Sequence, residues 1–318
     1  MLVLDEAQVT RLLDMDDAIA AVDGALRAQS AGETNFPLRQ ALKAPGGILG
    51  AMPGVITGAQ PALGAKLVTF FLGNAARGMH THNAVIALFD PSTGEPLALM
   101  DGRYITEIRT AATSAVATRT LAASSAGVLA VLGTGVQARS HIDALSRVMR
   151  IEELRVWGRT KAKADALASW VAAARKIPAR AAASADEACR GATVVCTTTA
   201  ASEVLFAADA ISMGAHVNAV GASTPAMREL PGALMSRARI FVDSIEGAMH
   251  EAADIIQAIA EGALPEEPRL TLLADAVAGK SPGRTSREEI TVFKSLGIAI
   301  EDIACAALVY DRALNVVP

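Results

Sequence analysis

The feature that most constrains this chain is an apolar run, Val128-Leu129-Ala130-Val131-Leu132, followed at once by Gly133-Thr134-Gly135-Val136-Gln137-Ala138. A continuous apolar run of that length, closed by glycine, is a strand buried on both faces. The G-x-G-x-x-A spacing is the turn that carries such a strand into a helix, here opening at about Gln137. Gly133 makes the tight turn, Gly135 lets a pyrophosphate approach the backbone, and Ala138 allows close helix-strand packing. The unbonded N–H groups and the dipole of the helix start favour an anion. A nicotinamide dinucleotide used for redox chemistry is expected on Gly133, Thr134, Gly135, Val136 and Gln137.

After this loop the pattern alternates: a helix over 137–149, a strand over 154–157, a helix over 161–175, and strands over 193–197, 216–220 and 239–242. Buried strands separated by crossovers imply an α/β fold with a doubly wound parallel sheet, the Rossmann arrangement. The length of 318 residues points to about two domains. Ahead of the Rossmann segment, two short helices are expected from Asp5 to about Ser30, with Asp5 as N-cap and Gln8 in the capping-box position. Short strand-like runs follow at Phe36-Pro37-Leu38, Gly47 to Met52, Ala65 to Phe71 and Asn83 to Phe89, with a turn from Asp90 to Pro96. A helix rich in small residues spans Ile105 to Leu121. The last element, Ser295 to Leu314, reads as an amphipathic helix with Leu296, Ile300, Ile303, Ala307, Tyr310 and Leu314 on its apolar face. No strand follows it, so it is expected to return to the first domain. The expected division is residues 1–122 with 295–318, a discontinuous α+β domain, and residues 123–294, the Rossmann domain.

The choice of dinucleotide rests on the second strand end. An acid about 20 residues after the glycines would hold a ribose 2′-OH. Between Leu154 and Lys163 there is none; Arg159, Thr160, Lys161 and Lys163 stand there instead. Cations in a first helical turn oppose the macrodipole, a cost that a 2′-phosphate would offset. Arg159, Thr160 and Lys161 therefore read as a clamp for NADP(H), with NAD(H) possible; a solvated basic corner is the plain alternative.

Charge and patterning exclude other classes. A net charge of −4 offers no basic footprint for nucleic acid. Every long apolar stretch is broken before the roughly 20 residues of a membrane span. Cys189, Cys196 and Cys305 show no C-x-x-C spacing and fit reduced thiols, and the first residues show no leader pattern, so a cytoplasmic protein is expected. His80 and His82 read as sharing a strand face, but a third ligand is missing and no metal is expected; His82 reads as a hydrogen-bond donor in a pocket.

Two cations stand where packing does not ask for them. Lys66 shares a strand face with Val68 and Phe70, so it either snorkels at a strand end or faces a cavity. Arg109 has Ile105, Thr106, Ala112 and Thr113 as its i±3 and i±4 neighbours, so its counter-charge must come from another element. Arg39, after Phe36-Pro37-Leu38, is a third candidate.

These residues also carry a resemblance across the whole chain. Lys66-Leu67-Val68-Thr69-Phe70, Ala98-Leu99-Met100-Asp101, Arg109-Thr110-Ala111-Ala112, the Gly133 loop, Asn218-Ala219-Val220-Gly221-Ala222 and Thr291-Val292-Phe293-Lys294-Ser295-Leu296-Gly297 together resemble the ornithine cyclodeaminase/mu-crystallin family. The resemblance implies a homodimeric NAD(P) protein whose first domain binds an amino or imino acid and forms the dimer interface. It places Arg109 on the substrate carboxylate, Lys66 beside the reacting carbon and nitrogen, and Arg39 and Thr81 in the pocket. Where the cyclodeaminases carry an Asp that handles the substrate amine, this chain has Ser223, a poor proton acceptor without a base beside it. That departure resembles the mu-crystallin type, implying NADPH-dependent reduction of small cyclic 2-imino acids such as Δ1-pyrroline-2-carboxylate or Δ1-piperideine-2-carboxylate, with Ser223 and Thr81 shaping the pocket. Ornithine cyclodeamination, amino-acid dehydrogenation and cofactor binding without turnover are the alternatives.

Overall fold

The chain begins with strand β1 (Leu2–Leu4) and helices α1 (Glu6–Leu12) and α2 (Met15–Ala31) in a computed structural model that describes residues 1–316. Both helices start in reciprocal capping boxes, Asp5 with Gln8 and Asp14 with Asp17, each satisfying two otherwise unbonded N–H groups. Strands β2 (Thr34–Asn35), β3 (Gln40–Ala44), β4 (Gly47–Ile56), β5 (Ala62–Phe70), β6 (His82–Phe89) and β7 (Pro96–Asp101) follow, then helix α3 (Arg103–Leu121). Phe36-Pro37-Leu38 is not a strand; it is the link between β2 and β3, where Pro37 has no N–H to give a ladder. Contacts divide the chain into two units: residues 1–112 with those from Gly297 onward, and Thr113–Leu296.

The first unit is a seven-stranded sheet in the order β1-β7-β6-β5-β4-β2, with β3 on β4. All pairings are antiparallel except β1 with β7. Strand alternation splits the sheet into two faces. One face buries Gly54 and Gly64, direct cross-strand partners, beneath the C-terminal helix (Ala299–Val316). A Cβ at Gly54 would lie 3.1 Å from the Ala299 Cβ and 3.2 Å from the Ile303 Cδ1, so the two small residues set how closely the helix approaches. The helix starts at Ala299 rather than Ser295, because Gly297 has a φ of +78° and breaks the turn. Ile300 and Ile303 of the expected apolar face are fully buried, but beyond the first turns the buried line runs through Asp302, Cys305, Ala306, Val309 and Ala313, and Leu314 is exposed. The opposite sheet face displays Val3, Leu42, Leu49, Leu67, Val85 and Leu99, all exposed.

The second unit contains β8 (Ala126–Leu132), α4 (Val136–Val148), β9 (Arg150–Trp157), α5 (Lys161–Arg175), β10 (Ala179–Ala181), α6 (Ala185–Cys189), β11 (Val194–Thr197) and β12 (His216–Ala219). After them come α7 (Gly232–Met235), β13 (Ala238–Val242), α8 (Ile245–Glu251), α9 (Ala253–Ala260), β14 (Leu270–Leu272), α10 (Leu273–Val277) and β15 (Ile290–Lys294). The sheet runs β10-β9-β8-β11-β12-β15-β13-β14, and every pairing is parallel. Its first five strands have the 3-2-1-4-5 order of a doubly wound dinucleotide fold, with the order reversing between β8 and β11. Leu129, Val131, Val194 and Cys196 pack one face with residues of α4 and α5, while Ala130, Leu132, Val195 and Val217 pack the other with α7 and α9. Among the described residues, no helix is long and apolar enough to cross a membrane.

The glycine contacts give a stability test. A Cβ at Gly64 would lie 2.6 Å from the Ala87 carbonyl oxygen, so Gly64→Ala is expected to cost about 1–3 kcal/mol. Gly24, within α2, has nothing within 4 Å of a Cβ, and Gly24→Ala is expected to stabilise by about 0.5–1 kcal/mol. Denaturant midpoints should move in opposite directions.

Candidate active site

Lys66 sits in a row that gives its ammonium nothing polar. Its cross-strand neighbours are Met52 on β4 and Ile86 on β6, with Met100 of β7 next along the row, and all three are buried. The counter-charge comes from the C-terminal helix: Lys66 Nζ lies 2.6 Å from Asp302 Oδ2, with Lys66 at 1% and Asp302 at 0% exposure. Asp302 Oδ1 accepts from Arg109 Nε at 2.9 Å, and Glu301 Oε2 accepts from Arg109 Nη1 at 2.8 Å. One carboxylate thus bridges the two cations that the sequence singled out, and a second holds the same guanidinium. Glu301 and Asp302 lie in the first turn of their helix, where its dipole favours negative charge. Gly297 completes the enclosure: a Cβ there would lie 2.7 Å from Arg109 Nη2 and 2.9 Å from Cζ, so the guanidinium rests on bare backbone.

Burial pushes the Lys66 pKa from 10.5 down to about 7; Asp302 resists the shift, while Arg109 and Arg39 add to it. Burial alone would raise the Asp302 pKa, but Arg109 and Lys66 outweigh it and hold the group below its ordinary value, so it stays ionised. Arg39 lies against β4, with its Cδ 3.3 Å from where a Gly50 Cβ would be. His82 opens β6, its ring tilted at 56° against Phe70 with centroids 4.4 Å apart. Although part of the residue reaches solvent, crowding by protein atoms, then the charges of Lys66 and Arg39, hold its pKa at about 4. Thr81 precedes the strand, its hydroxyl 3.4 Å from His82 Nδ1. His80 lies outside β6, so the two histidines do not share a strand face.

In the second unit the Gly133 loop has the predicted geometry. Gly133 has a φ of +134°, and a Cβ there would collide with the Thr198 hydroxyl and lie 2.8 Å from the Thr198 carbonyl oxygen. Its N–H donates to the Trp157 carbonyl at 2.8 Å, closing β8 onto β9. Gly135 caps α4 with no side chain, and a Cβ on it would meet nothing within 4 Å. The first-turn N–H groups of α4 therefore face a cradle without a protein cap, next to the fully buried Ala138. These features fit a dinucleotide pyrophosphate. At the end of β9, Arg159, Thr160 and Lys161 are exposed. Lys161 pairs with Asp165 at 2.8 Å, and Thr160 flanks α5 without a side-chain cap. Ser223 is half-buried in the turn after β12, its N–H donating to the Gly221 carbonyl at 3.0 Å.

The profile of the Ornithine cyclodeaminase/mu-crystallin family matches residues 1–316. The chain belongs to this family. Ketimine reductase mu-crystallin of Mus musculus is 42% identical over 265 residues, covering 83% of this chain and 80% of that protein. Delta(1)-pyrroline-2-carboxylate reductase of Bacillus cereus is 38% identical over 318 residues, covering 99% and 97%. The structure of Thermococcus litoralis Delta(1)-pyrroline-2-carboxylate reductase in complex with NADH and L-proline superposes with a TM-score of 0.94 at 34% identity, covering 99% of this chain and 98% of that one. This ornithine cyclodeaminase/mu-crystallin family member is an oxidoreductase.

The acids of the site were missed in the sequence because Glu301 and Asp302 look like the polar face of an amphipathic helix. The available signal was the opposite pairing: adjacent acids between Ile300 and Ile303, and two cations lacking an acid on their own elements. Because Gly297 is packed on the Arg109 guanidinium, Gly297→Ala should displace Arg109 and force a left-handed φ on alanine. A loss of about 2–3 kcal/mol in stability is expected, with at least a tenfold loss of oxidoreductase activity; native-like values for both would refute this packing role.

Proposed function

We propose that the chain reduces cyclic 2-imino acids, Δ1-pyrroline-2-carboxylate to L-proline or Δ1-piperideine-2-carboxylate to L-pipecolate, with NADPH preferred. The observation that carries this reading is the buried Lys66–Asp302–Arg109–Glu301 cluster. Arg109 and Lys66 share the Asp302 carboxylate, and Arg39 is near enough to lower the Lys66 pKa further, a gathering of cations suited to a substrate carboxylate. Glu301 and Asp302 fix the guanidinium plane before substrate arrives, so little orientation is lost on binding. Reduction of C=N adds hydride at carbon and a proton at nitrogen. When bound on the Gly133 loop, the reduced nicotinamide dinucleotide supplies the hydride. Lys66, with a pKa of about 7, can carry the proton at neutral pH, and Asp302 holds its ammonium in place. Thr81 and His82 of the first unit and Ser223 of the second are each proposed substrate-binding residues; a neutral His82 and a serine offer hydrogen bonds without a further charge. Ser223 also weighs against cyclodeamination, which needs a group able to take a proton from an amine.

For the cofactor, Arg159 is exposed at the strand end and has no acidic partner among the described residues, while Lys161 is shared with Asp165. This supports Arg159 as the principal 2′-phosphate contact, with Thr160 and Lys161 beside it. The exposed apolar sheet face of the first unit, centred on Leu67, Val85 and Leu99, supports a homodimer in which a second copy covers it. Light scattering should find twice the chain mass, and a monomer at micromolar concentration would rule this out.

Oxidation of NADPH with a panel of cyclic imines and linear 2-oxo acids tests the reaction. Lys66→Met should lower kcat about 10²–10³-fold. Wild-type kcat/KM should be high below pH of about 7 and fall as Lys66 loses its proton above it, a limb that Lys66→Arg should lack. Release of ammonia from ornithine without net cofactor change would contradict the reading. Arg159→Ala should raise the KM for NADPH about tenfold and leave that for NADH within about twofold; an equal change in both would contradict a 2′-phosphate contact.

A further inference from the structure

The buried carboxylate of the second unit has no part in the chemistry above. Glu229 is 0% exposed and accepts from five donors. Oε1 accepts from the Thr199 N–H at 2.7 Å and its hydroxyl at 2.8 Å. Oε2 accepts from the Thr197 hydroxyl at 2.7 Å and the N–H groups of Gly221 at 2.8 Å and Ala222 at 3.2 Å. The donors belong to two separate segments, the end of β11 and the turn after β12. Gly221 is bare backbone between them, since a Cβ there would collide with the Thr199 carbonyl oxygen and with Glu229. Glu229 is itself anchored: its N–H and that of Leu230 donate to Asp254 Oδ1 at 2.8 and 2.9 Å, and Asp254 Oδ2 pairs with Lys294, at the end of β15, at 3.0 Å.

What the two segments carry makes this more than a core contact. Thr198, between the two threonines that Glu229 holds, donates its N–H to the Leu132 carbonyl at 2.8 Å and occupies the space beside Gly133. Ala222, on the other segment, leads directly into Ser223. We propose that Glu229 is a positioning residue for reduction, fixing the Gly133 phosphate loop and the Ser223 segment against one another at a single spacing. The proposal rests on the reading that these two segments hold cofactor and substrate. Burial raises the Glu229 pKa, and Lys294 and the donors from Thr197 and Thr199 pull against that. Three of the donors are backbone N–H groups, which cannot turn to accept; the two hydroxyls can.

Glu229→Gln is therefore expected to leave a buried backbone N–H facing an amide N–H, disturbing both segments. NADPH affinity measured by fluorescence titration, without substrate, should weaken about 3–10-fold, and kcat should fall about tenfold. Thr197→Val removes one hydroxyl donor and leaves every N–H satisfied, so it should move both quantities the same way by about 2–3-fold; it carries the test if Glu229→Gln does not fold. A lowered melting temperature in the variants with NADPH affinity and kcat unchanged within error would overturn the proposal and leave Glu229 a purely structural group. If wild type binds NADPH but reduces no cyclic imine, the substrate reading fails, while the NADPH affinities of the variants still decide the role of Glu229.

Discussion

Asp302 is the residue on which the first unit depends. Among the described residues it is the acid paired with the Lys66 ammonium, and it shares the Arg109 guanidinium with Glu301, all at or near zero exposure. Isolated, either cation would pay a desolvation cost of several kcal/mol. Replacing such a buried ionic cluster by packed hydrophobic residues is often neutral or stabilising, so stability alone does not account for it. The cost is contained by geometry: Gly54 and Gly64 bring the C-terminal helix down onto the sheet, and the left-handed φ of Gly297 breaks the chain just ahead of Ala299, so that the helix starts where its acids face the cations. A buried lysine near its titration point is poor material for a core and good material for moving a proton.

The second unit meets a different constraint. Its parallel strands need crossovers, and their carboxyl ends must stay open for a ligand while their backbone groups stay satisfied. The solution is polar and buried: Thr198 closes the end of β8, Glu229 ties β11 to the turn after β12, and Asp254 with Lys294 extends the network to β15. The loops can then be bare where the dinucleotide approaches, as at Gly135, because their positions are fixed from beneath.

The Rossmann half was legible because its signals are local. An apolar strand, a glycine turn and a helix start are adjacent in sequence, and α5 falls at the expected residues 161–175. The strand β15 was not read as a strand, although Thr291 to Gly297 stood out as a segment. Ile-Thr-Val-Phe-Lys breaks apolar continuity with Thr291 and Lys294, whose partners, His216 and Asp254, are 75 and 40 residues away in the chain. Lys66 and Arg109 were legible as cations in the wrong place, but their carboxylates lie more than 190 residues distant, as the 193-residue separation of Arg109 and Asp302 shows. Helix periodicity placed Ile300 and Ile303 correctly in the buried first turns but missed the shift of the buried line toward Asp302, Cys305, Val309 and Ala313, because a hydropathy pattern assigns no acid there.

Burial beside Asp302 poises the Lys66 ammonium near neutrality. Heteronuclear NMR of lysine-labelled protein, with the Lys66 signal assigned by its loss in Lys66→Arg, measures this directly. The expected titration midpoint lies near pH of about 7. A midpoint near the ordinary lysine value of 10.5 would contradict it.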